Sequence, residues 1–117
     1  MIKGIGLDLV ELARIEKMML RSKKFVERIL TEREQQIFET LPHARQVEFL
    51  AGRFAAKEAY SKANGTGIGK DCELQQIEIL KDKIGKPVLY FNGLVVNGFI
   101  SITHTKTTAA AQVILMQ

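Results

Sequence analysis

The hydrophobic pattern of this chain changes period twice. Residues 2 to 10, IKGIGLDLV, alternate as a strand does. Ile5, Leu7 and Leu9 share one face, and Gly4, Gly6 and Asp8 share the other. Two glycines on one strand face mark the close approach of something bulky, often another backbone. Asp8 is an unlikely strand residue unless its charge has a partner. From Glu11 to about Leu20 the spacing becomes helical, with Leu12, Ile15 and Met19 inward and Arg14, Lys17, Met18 and Arg21 on the other side. SKKFVERIL and TEREQQIFETL read as further helix, and Thr31 followed by Glu34 has capping-box spacing. Pro42 interrupts. A long helix then runs from about Ala44 to Ala63 and stops in NGTGIGK, whose three glycines cannot extend it. Beyond it the pattern is β. LQQIEIL and PVLYF form one expected hairpin, turning at Asp82 and Gly85, and GFISITHT and AAAQVILM form a second around a polar KTT turn. One strand, a helical block and then antiparallel strands predict an α+β fold. It is expected to be a single compact domain over 1–117, its long central helix packed on a mainly antiparallel sheet.

Composition adds three constraints. A 117-residue chain with 46% hydrophobic and 26% charged residues suits one globule with a core of its own. Cys72 is the only cysteine, which excludes an intramolecular disulfide or a cysteine-based zinc site and fits a reducing compartment. No signal-peptide pattern opens the chain, and no run approaches the roughly 20 apolar residues of a membrane span. A cytoplasmic location with no membrane partner is therefore expected. The net charge of +4 is local: Arg14, Lys17, Arg21, Lys23, Lys24 and Arg28 face only Glu16 and Glu27 within residues 14–28. Such a patch steers an acidic partner.

Candidate chemistry begins on the long helix, where steps of four link Leu50, Phe54, Glu58 and Lys62. An exposed Glu–Lys pair at this spacing contributes only about 0.2–0.5 kcal/mol and needs no function. A carboxylate that follows two apolar residues on an inward row, however, must be paired or coordinated. Asp8 makes the same demand from its glycine-lined strand, and Gly52, Ala55, Ala56 and Ala59 leave room for the two to meet. Two carboxylates in one small space repel unless a proton or cation intervenes, and a few oxygen ligands suit Mg²⁺. NGTGIGK follows a helix and lacks the GxxxxGK[ST] spacing, so an NTPase loop is excluded. Gly65 reads as a helix cap, while the second half of the segment has N–H groups to offer an anion. His104, beside Thr103, Thr105 and Lys106, is either a plain strand end or part of a phosphate cradle. His43 has no such company. Met18 and Phe25, set among the basic residues, are core fillers or the apolar knobs of an interface.

GIGLDLVELARI, RILTERE, EFLAGRFAAKEAYSKANGTGIG and SITHT, in that order, resemble the holo-acyl-carrier-protein synthases, the short single-domain members of the phosphopantetheinyl transferase superfamily. The resemblance covers nearly the whole chain and implies that superfamily's fold. It implies transfer of phosphopantetheine from coenzyme A to a serine of an acidic apo-acyl carrier protein, releasing adenosine 3',5'-bisphosphate, in support of fatty acid synthesis. It further implies Mg²⁺ held by Asp8 and Glu58, with Lys62 near the transferring phosphate. His104 and Arg53, with Gly65 and Thr105, would belong to the coenzyme A pocket. Members are typically homotrimers with the pocket between subunits. Arg14, Met18, Arg21, Lys24, Phe25 and Arg28 would form the carrier-protein dock. Asn64 and Thr103 depart from the family pattern without removing a charge. Two rivals stand beside this reading. A basic nucleic-acid-binding domain would need more stacking aromatics than Phe25 and leaves Asp8 and Glu58 idle. A Mg²⁺-dependent phosphate-ester hydrolase would cleave coenzyme A with no carrier protein present.

Overall fold

A computed structural model describes all residues 1–117. The order of elements is β1 (Ile2–Glu11), α1 (Leu12–Arg21), α2 (Lys23–Ile29), α3 (Glu32–Phe38), α4 (His43–Asn64), β2 (Ile77–Lys81), β3 (Pro87–Phe91), β4 (Leu94–Val95), β5 (Gly98–His104) and β6 (Thr108–Met116). Both expected hairpins form, but they belong to two separate three-stranded antiparallel sheets, ordered β1-β6-β5 and β2-β3-β4. A two-residue turn at Asn92 and Gly93, both with positive φ, adds the short β4 to the second sheet. The chain then returns as β5 to the first. The expected strand LQQIEIL begins only at Ile77. Glu73 and Gln76 close a capping box around a 3₁₀ turn at Leu74–Gln76, and that local bonding outcompetes the ladder.

α4 is the axis of the molecule. Pro42 stands at its N-cap, and Gly65 ends it in the left-handed conformation (φ 86°). The helix is covered almost all round: Leu50, Ala51, Ala55, Ala56 and Ala59 are fully buried. The small residues let β1 approach to backbone contact. A Cβ on Gly6 would sit 1.8 Å from the carbonyl oxygen of Ala59, and one on Gly4 would sit 2.1 Å from that of Ala63. The glycine face of β1 is therefore the core face, carrying Val10 and Asp8 with it. The apolar face is turned outward: Ile5, Leu7 and Leu9 are 57%, 56% and 67% exposed. Register extends that outer face across the sheet, pairing Ile5 with Ile114 and Ile114 with Phe99.

On the far side of α4 the helical block is tied down by charge. Thr31 and Glu34 form the expected capping box. Glu34 then does more: its carboxylate meets Lys57 Nζ at 2.7 Å, and both side chains are fully buried. Lys57 also donates to the carbonyls of Ile29 (2.6 Å) and Leu74 (3.1 Å), and Glu34 accepts the Ile79 N–H (2.8 Å). Every proton of this ammonium has an acceptor. Removing one partner from such a pair would cost about 3–5 kcal/mol.

Candidate active site

Two polar clusters lie along α4, one toward each end. The first is at its C-terminal half. The docking of Gly6 on Ala59 and Gly4 on Ala63 brings Asp8, two residues further along the same strand face, to Glu58 and Lys62. Lys62 Nζ donates to Asp8 Oδ1 at 2.9 Å and to the Leu7 carbonyl at 3.1 Å. The ion pair made by Lys62 is thus with the strand rather than along its own helix. The row from Leu50 to Lys62 grades outward: Leu50 is buried, Phe54 and Glu58 are half-buried and Lys62 is exposed. Burial pushes the Glu58 carboxyl above its ordinary range, the Asp8 charge pushes it further, and Lys62 only partly opposes them. The hydrogen bond to Asp8 in turn raises Lys62.

These residues fit a hard divalent cation. Two carboxylates share one space, and the like-charge repulsion felt by Glu58 is what such a cation would relieve. No third histidine, cysteine or acid joins them. Further ligands would have to be water or phosphate oxygen, the coordination that Mg²⁺ favours.

The second cluster is at the N-terminal half of α4. A cavity of about 820 Å³ opens there between α3, α4, the β2–β3 hairpin and the end of β5. Arg33, Arg45, Arg53, Lys81 and His104 line it, against the single carboxylate of Glu48. Arg53 is 6% exposed, and its guanidinium stacks on Phe49 with Cζ 4.2 Å from the ring centroid. Its buried Nε has no hydrogen-bond partner, and its burial holds the guanidinium below its usual pKa. A cationic pocket with an unmet buried donor is suited to an anion. His104 Nδ1 lies 3.8 Å from Glu48 Oε2. Glu48 and Glu58 are ten residues apart on one helix, so the His104 end of the cavity is roughly 15 Å along α4 from Glu58, while Arg53 is only about 7.5 Å from it.

Other expected positions fall as follows. The Gly65, Thr66 and Gly67 N–H groups all cap α4 by bonding to the carbonyls of Ser61 or Lys62. They are not free to hold an anion, and what Gly65 offers is an open surface, with nothing within 4 Å of its absent side chain. The Thr105 hydroxyl accepts the Thr107 (3.2 Å) and Thr108 (3.1 Å) N–H groups and so shapes the turn behind His104. Arg14, Arg21, Lys24 and Arg28 are exposed and Met18 is half-buried, whereas Phe25 packs against the core. Leu20, 72% exposed beside Arg21, is an apolar member of this surface that periodicity did not single out. Cys72, drawn from a polar stretch, is fully buried.

Comparison with known proteins gives the family. Residues 4–114 match the family model described as the 4'-phosphopantetheinyl transferase superfamily. The chain is 58% identical over 116 residues to the holo-[acyl-carrier-protein] synthase of Bacillus velezensis, covering 98% of this chain and 96% of that one. The crystal structure of the Bacillus anthracis holo-(acyl-carrier-protein) synthase in complex with CoA (3',5'-ADP) superposes with a TM-score of 0.87 at 52% identity, over 98% of this chain and 96% of that one. The Neisseria meningitidis holo-[acyl-carrier-protein] synthase gives a TM-score of 0.89 at 34% identity over the full length of both chains. Such similarity, sustained end to end in both sequence and backbone, means that this chain belongs to the holo-[acyl-carrier-protein] synthase family of the 4'-phosphopantetheinyl transferase superfamily.

Proposed function

We infer that the chain moves the phosphopantetheine group of coenzyme A onto a serine hydroxyl of apo-acyl carrier protein, giving holo-carrier protein and adenosine 3',5'-bisphosphate. Family membership supports the reaction class. The observation that carries the mechanism is the meeting of Asp8, Glu58 and Lys62 at the β1–α4 contact. Asp8 and Glu58 would hold Mg²⁺, which when bound supplies positive charge to the coenzyme A diphosphate. Lys62, bonded to Asp8, would lie beside the same oxygens, and its ammonium would offset charge on the leaving phosphate. Phosphoryl transfer needs mainly positioning and charge neutralisation, and these side chains provide both.

The cationic cavity takes the adenosine bisphosphate end of coenzyme A, with Arg53 and His104 on its phosphate groups. Gly65 lines the approach, and Thr105 holds His104 in place. His104 is set roughly 15 Å of helix from Glu58 in one chain, and we read the complete site as built from two chains. The exposed Ile5–Leu7–Leu9 face supports a homotrimer that buries it. Carrier protein docks on Arg14, Met18, Arg21, Lys24, Phe25 and Arg28, whose charge suits an acidic partner in the cytoplasm. Mass spectrometry of apo-carrier protein incubated with the enzyme, coenzyme A and Mg²⁺ tests the reading. A gain of one phosphopantetheine, lost on chelation, is expected. Release of adenosine bisphosphate with no carrier protein present would replace the transferase by a hydrolase.

A further inference from the structure

We propose that Glu34 and Lys57 are positioning residues for coenzyme A, their buried ion pair being the joint that fixes the width of the Arg53–His104 cavity. The inference rests on reading that cavity as the coenzyme A pocket. Neither residue lines it. Both lie directly behind it, and their bonds reach every wall but one. Lys57 is on α4, one turn after Arg53. Glu34 is on α3, next to Arg33, a lining residue. Ile79, whose N–H Glu34 accepts at 2.8 Å, is on β2 next to Leu80, another lining residue. One carboxylate and one ammonium therefore hold α3, α4 and the β2–β3 hairpin at fixed spacing, while the end of β5 supplies the remaining wall.

A purely structural role explains the pair poorly. Apolar residues of the same volume would hold these elements together as well or better, because burying two charges offsets most of their attraction. What an apolar pair lacks is direction. Lys57 donates to Glu34 at 2.7 Å, to Ile29 at 2.6 Å and to Leu74 at 3.1 Å, so sliding of any one element breaks a bond in the low-dielectric interior. Glu34 has an electrostatic reach as well: its charge favours the cationic form of Arg53 against the burial that opposes it.

The test compares Glu34→Leu/Lys57→Met, which removes both charges at similar volume, with Glu34→Gln, which keeps the shape and removes one. Arg53→Ala and His104→Ala are measured beside them. Expected for both pair variants is a rise of about tenfold in KM for coenzyme A and in Kd for adenosine 3',5'-bisphosphate, the scale of an outer-shell substitution. KM for carrier protein and the affinity for Mn²⁺ should stay near wild type. Glu34→Leu/Lys57→Met carries the test if Glu34→Gln, which leaves the buried Lys57 ammonium without its counter-charge, does not fold. Folded variants with wild-type KM for coenzyme A would overturn the proposal, as would an equal loss in carrier-protein KM and Mn²⁺ affinity. If Arg53→Ala and His104→Ala also leave KM unchanged, the pocket reading falls and this inference with it.

Discussion

Asp8 and Glu58 are each placed where an unpartnered carboxylate is unfavourable, and the placement explains both their legibility and their use. Asp8 is a charge in mid-strand, and Glu58 continues a row begun by two apolar residues, so both stand out in the sequence. Lys57 does not stand out. Beside Glu58 in AAKEAYSK it reads as one more solvated lysine, and its partner Glu34 is 23 residues away on another helix. Glu34 itself reads as a cap, and its capping role hides the second one. No local pattern reports a tertiary ion pair, although a cation spaced with Leu50 and Ser61 on the buried side of α4 is the signal that was there. Asp8→Asn and Glu58→Gln are each expected to lower transfer at least ~100-fold, since loss of even an outer-shell partner of a metal can cost that much. Without metal, Glu58→Gln should raise the melting temperature, because it removes a desolvated charge facing Asp8. Calorimetry in chelator and a transfer assay in Mg²⁺ together separate the two effects.

At the scale of elements, the core contact is made by backbone. The sequence marks Gly4 and Gly6 as a close-approach face, and the structure seats them on Ala63 and Ala59, each adjacent to a site residue of α4. Gly6→Ala therefore has to push β1 away from the helix, at about 1–3 kcal/mol for overpacking. Because that displacement also parts Asp8 from Glu58, Mn²⁺ affinity measured by titration should fall with the stability. The boundaries of α1 and α4 lie within a residue or so of those periodicity sets, and at α4 Pro42 and the left-handed Gly65 fix them locally. The division of the β-strands into two sheets depends on contacts remote in sequence and was not legible.

The other side of α4 gives a pH prediction. Burial raises the Glu78 carboxyl, but bonds from Thr31 and Arg33 and the nearby positive charges outweigh it, and the net shift is downward. A carboxyl with a depressed native pKa stabilises the fold fully above its unfolded value. That contribution is lost as pH falls through the lower native value, where the folded state must take up the proton. Glu78→Gln should therefore flatten the melting-temperature profile between the ordinary carboxylate range and more acid pH. An unchanged slope there would remove Glu78 from the account.

For the whole molecule, the outward apolar face of β1 is the feature a lone chain does not explain. The alternation of IKGIGLDLV shows two faces, but sequence alone does not say which is buried, and the glycines reverse the usual choice. Leu7→Lys should yield a monomer by sedimentation and, if each site needs two chains, should also abolish transfer. The basic residues 14–28 lie far enough apart in charge from the balanced remainder that KM for an acidic carrier protein should rise steeply between low and physiological salt, while KM for coenzyme A changes less.

The division of the site along α4 is tested most directly by mixing two inactive proteins. One carries Glu58→Gln, and the other carries Arg53→Ala with His104→Ala. After dissociation and reassembly, mixed assemblies contain junctions in which the intact carboxylate pair of one chain faces the intact cationic cavity of the next. The account predicts that transfer activity returns on mixing, although neither parent has it. If each chain holds its whole site, the mixture stays as inactive as its parents, and the two-chain site is contradicted.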